Sequence, residues 1–158
     1  MALVSAADAW WGGGMTLSGT YEPSPSDWVR EQVEKFEASN GQEANTLNGD
    51  PIVVITSTGA KSGKLRKNPV MRVERDGTYV AIASKGGAPE QPEWYYNFVE
   101  HPEVELQDGA EKHTYTARIA HGEERADWWA HAVATWPTYG EYQKKTDREI
   151  PVFLLERA

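Results

Sequence analysis

The stretch TSTGAKSGKLRKNPVMRV, residues 56–73, gathers charge of one sign. Lys61, Lys64, Arg66, Lys67 and Arg72 fall within it without one acidic neighbour, in a chain whose net charge is −8. Gly59 and Gly63 bracket a tight turn rich in backbone N–H groups. Such a turn can wrap a phosphate or carboxylate, with the lysines and arginines adding charge-assisted donors. A solvated hairpin loop accounts for the same residues, and residue types alone leave both readings open. A nucleoside-triphosphatase phosphate loop is excluded. That motif needs four residues between its glycines and Ser or Thr after the lysine; here three residues separate Gly59 from Gly63, and Leu65 follows Lys64.

A second candidate, ASKGGAPEQPEWYYN at 83–97, ends an apolar run on Ser84-Lys85 and then removes side chains at Gly86 and Gly87. A hydroxyl, a cation and main-chain donors meet at one spot, with room for a ring system against the backbone. A plain turn is the competing reading. Tyr139 and Tyr142 stand three residues apart after the break at Pro137, so both can face one cleft. A phenol there can donate a hydrogen bond or a proton to a developing oxyanion. Packing alone explains the pair equally well. Trp94, Tyr95, Trp128, Trp129 and Phe153 read first as core aromatics.

Composition narrows the classes. There is no cysteine, so disulfides and thiolate metal sites are excluded, and the four histidines show no metal-ligand spacing. The acidic balance argues against general nucleic-acid binding, which needs a broad basic face. No segment approaches the roughly 20 apolar residues of a membrane span. The first residues, MALVSAADAWW, lack the basic and apolar regions of a signal peptide, which makes a cytoplasmic protein the default. WWGGGM at 10–15 reads as a junction, and residues 1–14 as a tag or flexible arm.

The elements that must hold these candidates follow from pattern. SPSDWVREQVEKFEASNG predicts a helix, with Ser24 as cap, Pro25 in the first turn, Val29, Val33 and Phe36 on one face, and Gly41 at its end. PIVVITST (51–58) predicts a buried strand. Residues 65–75 and 78–84 flank Asp76-Gly77, a two-residue hairpin signal. A short helix is expected over 92–101. A second hairpin joins 103–108 to 112–121 through Asp108-Gly109, with one wet face. Residues 122–136 read as a helix with a stripe of Ala126, Trp129 and Val133, and 150–156 as a closing strand. Hairpins predominate over crossovers, so the sheet should be antiparallel. The expected fold is α+β: a small six-stranded barrel or curled sheet with peripheral helices. It falls into a helix and linker over 15–50 and a barrel domain over 51–158.

TSTGAKSGKLRKNPV, ASKGGAPEQPEWYYN, HPEV, YGEYQKKTDREIPV and the helix start EERADWW stand in the order and spacing of a known family. Over about residues 50–156 the chain resembles the deazaflavin-dependent nitroreductase family of actinobacteria, which includes F420-dependent quinone reductases. The resemblance implies a split β-barrel related to FMN-binding barrels, with coenzyme F420 as cofactor and no metal. Ala60, Lys61, Ser62, Gly63 and Arg66 then look like contacts to the phosphate and oligoglutamate tail. Asn68, Pro69, Val70 and Met71 would line the strand beside the ring. Ala83, Ser84, Lys85 and Gly86 would meet the deazaflavin, and Trp94, Tyr95 and Asn97 would close the ribityl and phosphate side. Tyr139 and Ser84 would hydrogen-bond the substrate oxygen or donate its proton, with Tyr139 also touching cofactor and Tyr142 in support. Met71 and Trp136 occupy substrate-side positions where a well-known relative has tyrosines, which favours quinones over nitroimidazoles. The implied reaction is hydride transfer from reduced F420 to a menaquinone-like quinone, with nitro compounds as a second acceptor class and peripheral membrane contact as the route to menaquinone. An FMN-dependent reductase and a non-enzymatic F420 carrier are the alternatives.

Overall fold

A computed structural model describes residues 17–158; the junction expected over 1–14 lies outside them. The run from Ile52 to Ser57 is buried without interruption. Its side chains alternate between two apolar clusters, Ile52 and Val54 in one, Val53 and Ile55 in the other. A β-branched run of this kind suits a strand with no wet face. This strand, β2 (Asp50–Thr58), follows the two-residue β1 (Thr46–Leu47), with which it forms a hairpin. On its other sides β2 pairs antiparallel with β3 (Leu65–Met71) and with β6 (Glu103–Asp108).

The remaining strands are β4 (Glu74–Arg75), β5 (Thr78–Ile82), β7 (Glu111–Ile119) and β8 (Val152–Arg157). All pair antiparallel, in the order β1-β2-β6-β7-β8-β5-β4 with β3 beside β2. The expected single strand over 65–75 is divided. After Arg72, whose N–H donates to Pro51 O at 3.0 Å, the chain leaves β2; Val73 O then accepts from Val80 N–H at 2.9 Å. The bend at Arg72-Val73 carries the chain from one margin of the sheet to the other, and so curls the sheet into a split barrel. Asp76 and Gly77 are both left-handed (φ 54° and 86°), as a two-residue hairpin of this kind requires. The second hairpin turns one residue later than expected: Asp108 still pairs with Glu111, leaving Gly109 and Ala110 at the tip. Only β7 has the wet face; β6 is buried from Val104 to Gln107.

Helices cover both faces of the sheet. α1 (Asp27–Ala38) sets Val33 and Phe36 beside Ile52, Val54 and Met71. It begins later than expected, with Ser26 at the cap position, because the Ser24 hydroxyl instead accepts from Ser26 N–H at 3.1 Å. α3 (Gly122–Thr135) adds Trp128 and Ala132 to the same layer, while Ala126, expected on its apolar stripe, is exposed. α4 (Thr138–Lys144) buries Tyr139 there. The opposite face is closed by α2 (Glu93–Glu100), whose Phe98 packs on Phe153 with ring centroids 5.2 Å apart.

Candidate functional site

Strand direction decides where function can sit. β2 and β5 run the same way, since three antiparallel steps through β6, β7 and β8 separate β8 from β2 and a fourth reverses it again. The loop after β2 (residues 59–64) and the turn after β5 (84–87) therefore emerge at one end of the barrel. A groove of about 770 Å³ opens beside the first of these. One wall carries Gly59, Ala60, Lys61, Ser62, Arg66, Lys67 and Asn68; the other is α2, with Trp94, Tyr96, Asn97 and Val99 and the carboxylates of Glu93 and Glu100; Glu22, Ser24 and Pro25 border it.

The basic loop is shaped by its own backbone. Gly59 N–H donates to Lys64 O at 2.7 Å and Gly63 N–H to Gly59 O at 3.0 Å. A side chain at Gly59 would put Cβ 2.5 Å from Ser62 Oγ and 3.2 Å from Lys64 O, so any larger residue would have to displace the Ser62 hydroxyl. Asn97, almost fully buried, latches the loop to α2: its Oδ1 accepts from Ala60 N–H at 2.9 Å and its Nδ2 donates to Ser57 Oγ at 3.4 Å. The cations differ in freedom. Arg66 pairs with Glu22 at 3.3 Å and Lys67 with Glu37, whereas Lys61 and Lys64 are exposed and have no ion-pair partner among the described residues. Trp94 and Tyr96 on α2 thus face the free cation of Lys61, an arrangement that can hold a flat molecule whose anionic extension lies on the basic loop, away from Glu93 and Glu100.

The second candidate turn takes a backbone path that explains its glycines separately. Lys85, Gly86 and Gly87 are all left-handed, at φ 46°, 65° and 85°. A Cβ on Gly87 would meet Tyr142 O at 2.6 Å and Lys145 Cβ at 2.9 Å, so Gly87 serves the approach of α4 and not of a ligand. Nothing lies within 4 Å of a Cβ on Gly86, whose outer side is open. Ala83 and Ser84 are buried and Lys85 is exposed, its Nζ 4.0 Å from Glu90.

Most of the remaining sequence-predicted residues lie outside the groove lining, and Trp94 lines it while also packing on the core. Tyr139 is 4% exposed, and Trp136 and Tyr142 meet it edge-on at 4.9 and 6.5 Å between ring centroids. Burial, then the neighbouring Tyr142, pushes the Tyr139 phenol above its ordinary value, so it is neutral and a donor at physiological pH. Met71 joins this cluster. Tyr95 and Trp94 rest against Phe153 at 5.7 and 5.9 Å, Val70 packs in the same layer, and Pro69 pairs with Val54. Ala60, Lys61, Ser62, Arg66, Asn68, Trp94 and Asn97 are thus brought together in the groove. Ser84, Lys85 and Gly86 form the turn, while Trp136, Tyr139 and Tyr142 make an aromatic cluster that shares the apolar core with Met71. Sequence reasoning missed Tyr96 on the groove wall, Glu22 on Arg66, and Arg148, which binds the turn. Among the described residues there is no group of three or more His, Asp or Glu able to hold a metal, and no helix long and apolar enough to cross a membrane.

A curled antiparallel sheet with helices on both faces and a ligand-sized groove at its strand ends defines a split-barrel binding protein. A family model for F420H(2)-dependent quinone reductase matches residues 28–157, and the chain belongs to that family. An F420H(2)-dependent quinone reductase of Mycobacterium tuberculosis is 31% identical over 126 residues, 77% of this chain and 85% of that protein. The solved structure of an F420-H2 dependent reductase is 55% identical with a TM-score of 0.64, covering 67% of this chain and 94% of its own. Another solved structure, a domain-swapped dimer, is 51% identical with a TM-score of 0.67 and covers 84% of this chain and 100% of its own. A heme-binding protein from Mycobacterium smegmatis shares the fold alone, at 15% identity and a TM-score of 0.54 over 80% of this chain and 50% of that one.

Replacing Asn97 by Leu strands the Ala60 N–H and the Ser57 hydroxyl. The expected cost is roughly 1–3 kcal/mol of stability, with faster tryptic cleavage at Lys61 and Lys64. Unchanged melting and cleavage rates would show that Asn97 is no latch.

Proposed function

We propose that this protein is an oxidoreductase that passes hydride from reduced coenzyme F420 to a quinone. The observation that carries the reading is the groove itself. Its acid-free wall offers Lys61, Ser62 and Arg66, and its opposite wall offers Trp94, on a chain of net charge −8. A cofactor with a phosphate, an oligoglutamate tail and a flat ring system matches a free cation on one wall and aromatic side chains on the other, with its anionic part kept to the basic loop because Glu93 and Glu100 stand on α2. When bound, F420 supplies the two-electron hydride chemistry.

The chain's own residues bind, orient and shield. Lys61 meets anionic groups in water, where its contribution is long-range and salt-sensitive. Arg66 must exchange Glu22 for the ligand; an ion pair this exposed is worth only about 0–1 kcal/mol, so the exchange costs little. Ser84, Lys85 and Gly86 present hydroxyl and main-chain donors at the same barrel end. Tyr139, neutral and held by Trp136 and Tyr142, is the donor we assign to the quinone oxygen, with Met71 and Trp136 shaping the acceptor side. A menaquinone-like acceptor is the specific proposal, and nitro compounds are a second acceptor class to assay beside it.

The primary test is a titration of purified protein with F420, followed by mixing reduced F420 with a menaquinone analogue and following the deazaflavin absorbance. Micromolar binding and quinone-dependent oxidation are expected. Binding without turnover would instead support an F420 carrier, and flavin co-purifying in place of F420 binding an FMN reductase. For Lys61→Ala, F420 binding should weaken several-fold at low salt and converge on the parent's value as salt rises; a loss independent of salt would contradict the electrostatic role. Tyr139→Phe should slow quinone reduction about 10- to 100-fold, on the scale of one lost acid or oxyanion donor, with F420 affinity retained. Because burial raises the phenol's pKa, the parent's rate should show no phenol titration from about pH 6 to 9. An unchanged rate in the variant would remove Tyr139 from the reaction.

A further inference from the structure

A lysine adopts the left-handed backbone of Lys85 only where its surroundings impose it. Beside the turn's own bonds from Gly87 N–H to Ser84 O and from Ala88 N–H to Lys85 O, the side chain that grips it is Arg148. Its Nε donates to Ala88 O at 2.9 Å, one Nη to Ala83 O at 3.2 Å and Gln91 Oε1 at 2.8 Å, and the other Nη to Ser84 O at 2.9 Å. One planar guanidinium thereby clamps the chain on both sides of the turn, a task its rigid fork of donors suits. Gln143 fixes the Arg148 segment in its place, donating to Arg148 O at 2.8 Å and accepting from Ile150 N–H at 3.0 Å. Among the described residues the hydrogen-bond partners of the Arg148 guanidinium are carbonyls and a side-chain amide, not a carboxylate. Its charge is therefore spent on the turn.

The consequence lies on the turn's other side. A peptide unit points its C=O and N–H in opposite directions, so a cation on Ser84 O turns the Lys85 N–H away from itself and polarises it as a donor. Ser84 is right-handed (φ −80°, ψ −38°) and Lys85 left-handed, the pairing that makes successive N–H groups converge on a concavity suited to anions and carbonyl oxygens. Among the described residues, the N–H groups of Lys85 and Gly86 have no acceptor. The space outside Gly86 is open.

We infer that Arg148 is a positioning residue, which holds the Ser84–Gly87 turn so that the Lys85 and Gly86 N–H groups face the carbonyl edge of the bound deazaflavin. The inference rests on the F420 reading and deepens it. A brace that merely stabilises the fold would leave cofactor recognition untouched, and the experiment separates the two.

The full chain is compared with Arg148→Lys, which keeps charge and stem but loses the fork, and with Arg148→Gln. Arg118→Gln serves as control, since it breaks an equally extensive arginine network with Glu124 and Glu156 on the exposed face of β7. F420 affinity, melting temperature and amide hydrogen exchange without cofactor are measured for each. Both Arg148 variants should bind F420 about 10- to 100-fold more weakly, the scale of lost charged hydrogen bonds. Exchange should quicken over residues 84–88 and remain unchanged over β6 and β7. Added guanidinium ion should restore part of the affinity of Arg148→Gln, and Arg118→Gln should bind as the parent does. Affinity within about twofold of the parent in Arg148→Lys, whatever its melting temperature, overturns the inference. So does an equal loss in Arg118→Gln. Should Arg148→Gln fail to fold, Arg148→Lys decides alone. If the parent binds no F420, the functional reading itself falls and this one with it; binding by the parent with no effect of the variants sinks only the role of Arg148.

Discussion

The fold depends on a strand with no wet side. From Ile52 to Ser57 every residue of β2 is buried, and its alternate side chains belong to different hydrophobic layers. Each Val or Ile buried in this way contributes roughly 1.5–3 kcal/mol, so a register slip would misplace both layers at once. With β2 fixed, β3 and β6 must flank it, and the chain leaving β3 can reach the opposite margin only through the bend at Arg72-Val73. Barrel curvature, and with it the meeting of two distant loops at one end, follows from that.

Much of this was legible in the sequence, and what was not has physical reasons. The β-branched run at 51–58, the Asp76-Gly77 hairpin, the helix at 93–100 and the closing strand carry local signals that tertiary structure left intact. The start of α1 was ambiguous because Ser24, Ser26 and Asp27 all have cap chemistry, and only the contact from Ser24 Oγ to Ser26 N–H decides among them. The break in the 65–75 strand has no local mark, since it is set by which sheet margin each half meets. Ala126 and Trp128 are both apolar positions of α3, and the sheet chose between them.

The site divides in the same way. The acid-free loop was visible as charge, and the structure adds that Asn97 ties it to α2. Gly86 and Gly87 look alike in sequence but serve different needs, open space at one and the backbone of α4 at the other. Arg148 was the least legible residue of all. Its acceptors are mostly main-chain carbonyls, which every residue carries, so no pattern of side chains could announce the contact.

Charge and shape act on different steps. A protein of net charge −8 repels an anionic ligand at long range, and the local field of Lys61 and Lys64 must outweigh that repulsion near the groove. Such forces capture a ligand but do not set a ring within reach of hydride transfer, where small displacements are costly. On the proposed reading, rigid groups do that: the peptide units of Ser84 to Gly87, held by the Arg148 guanidinium, and the phenol of Tyr139, packed among aromatic rings. The exposed lysines can therefore remain mobile without loosening the reaction geometry, because the residues that would orient the ring are buried or main-chain. An arrangement of this kind separates affinity, which salt can tune, from alignment, which it cannot.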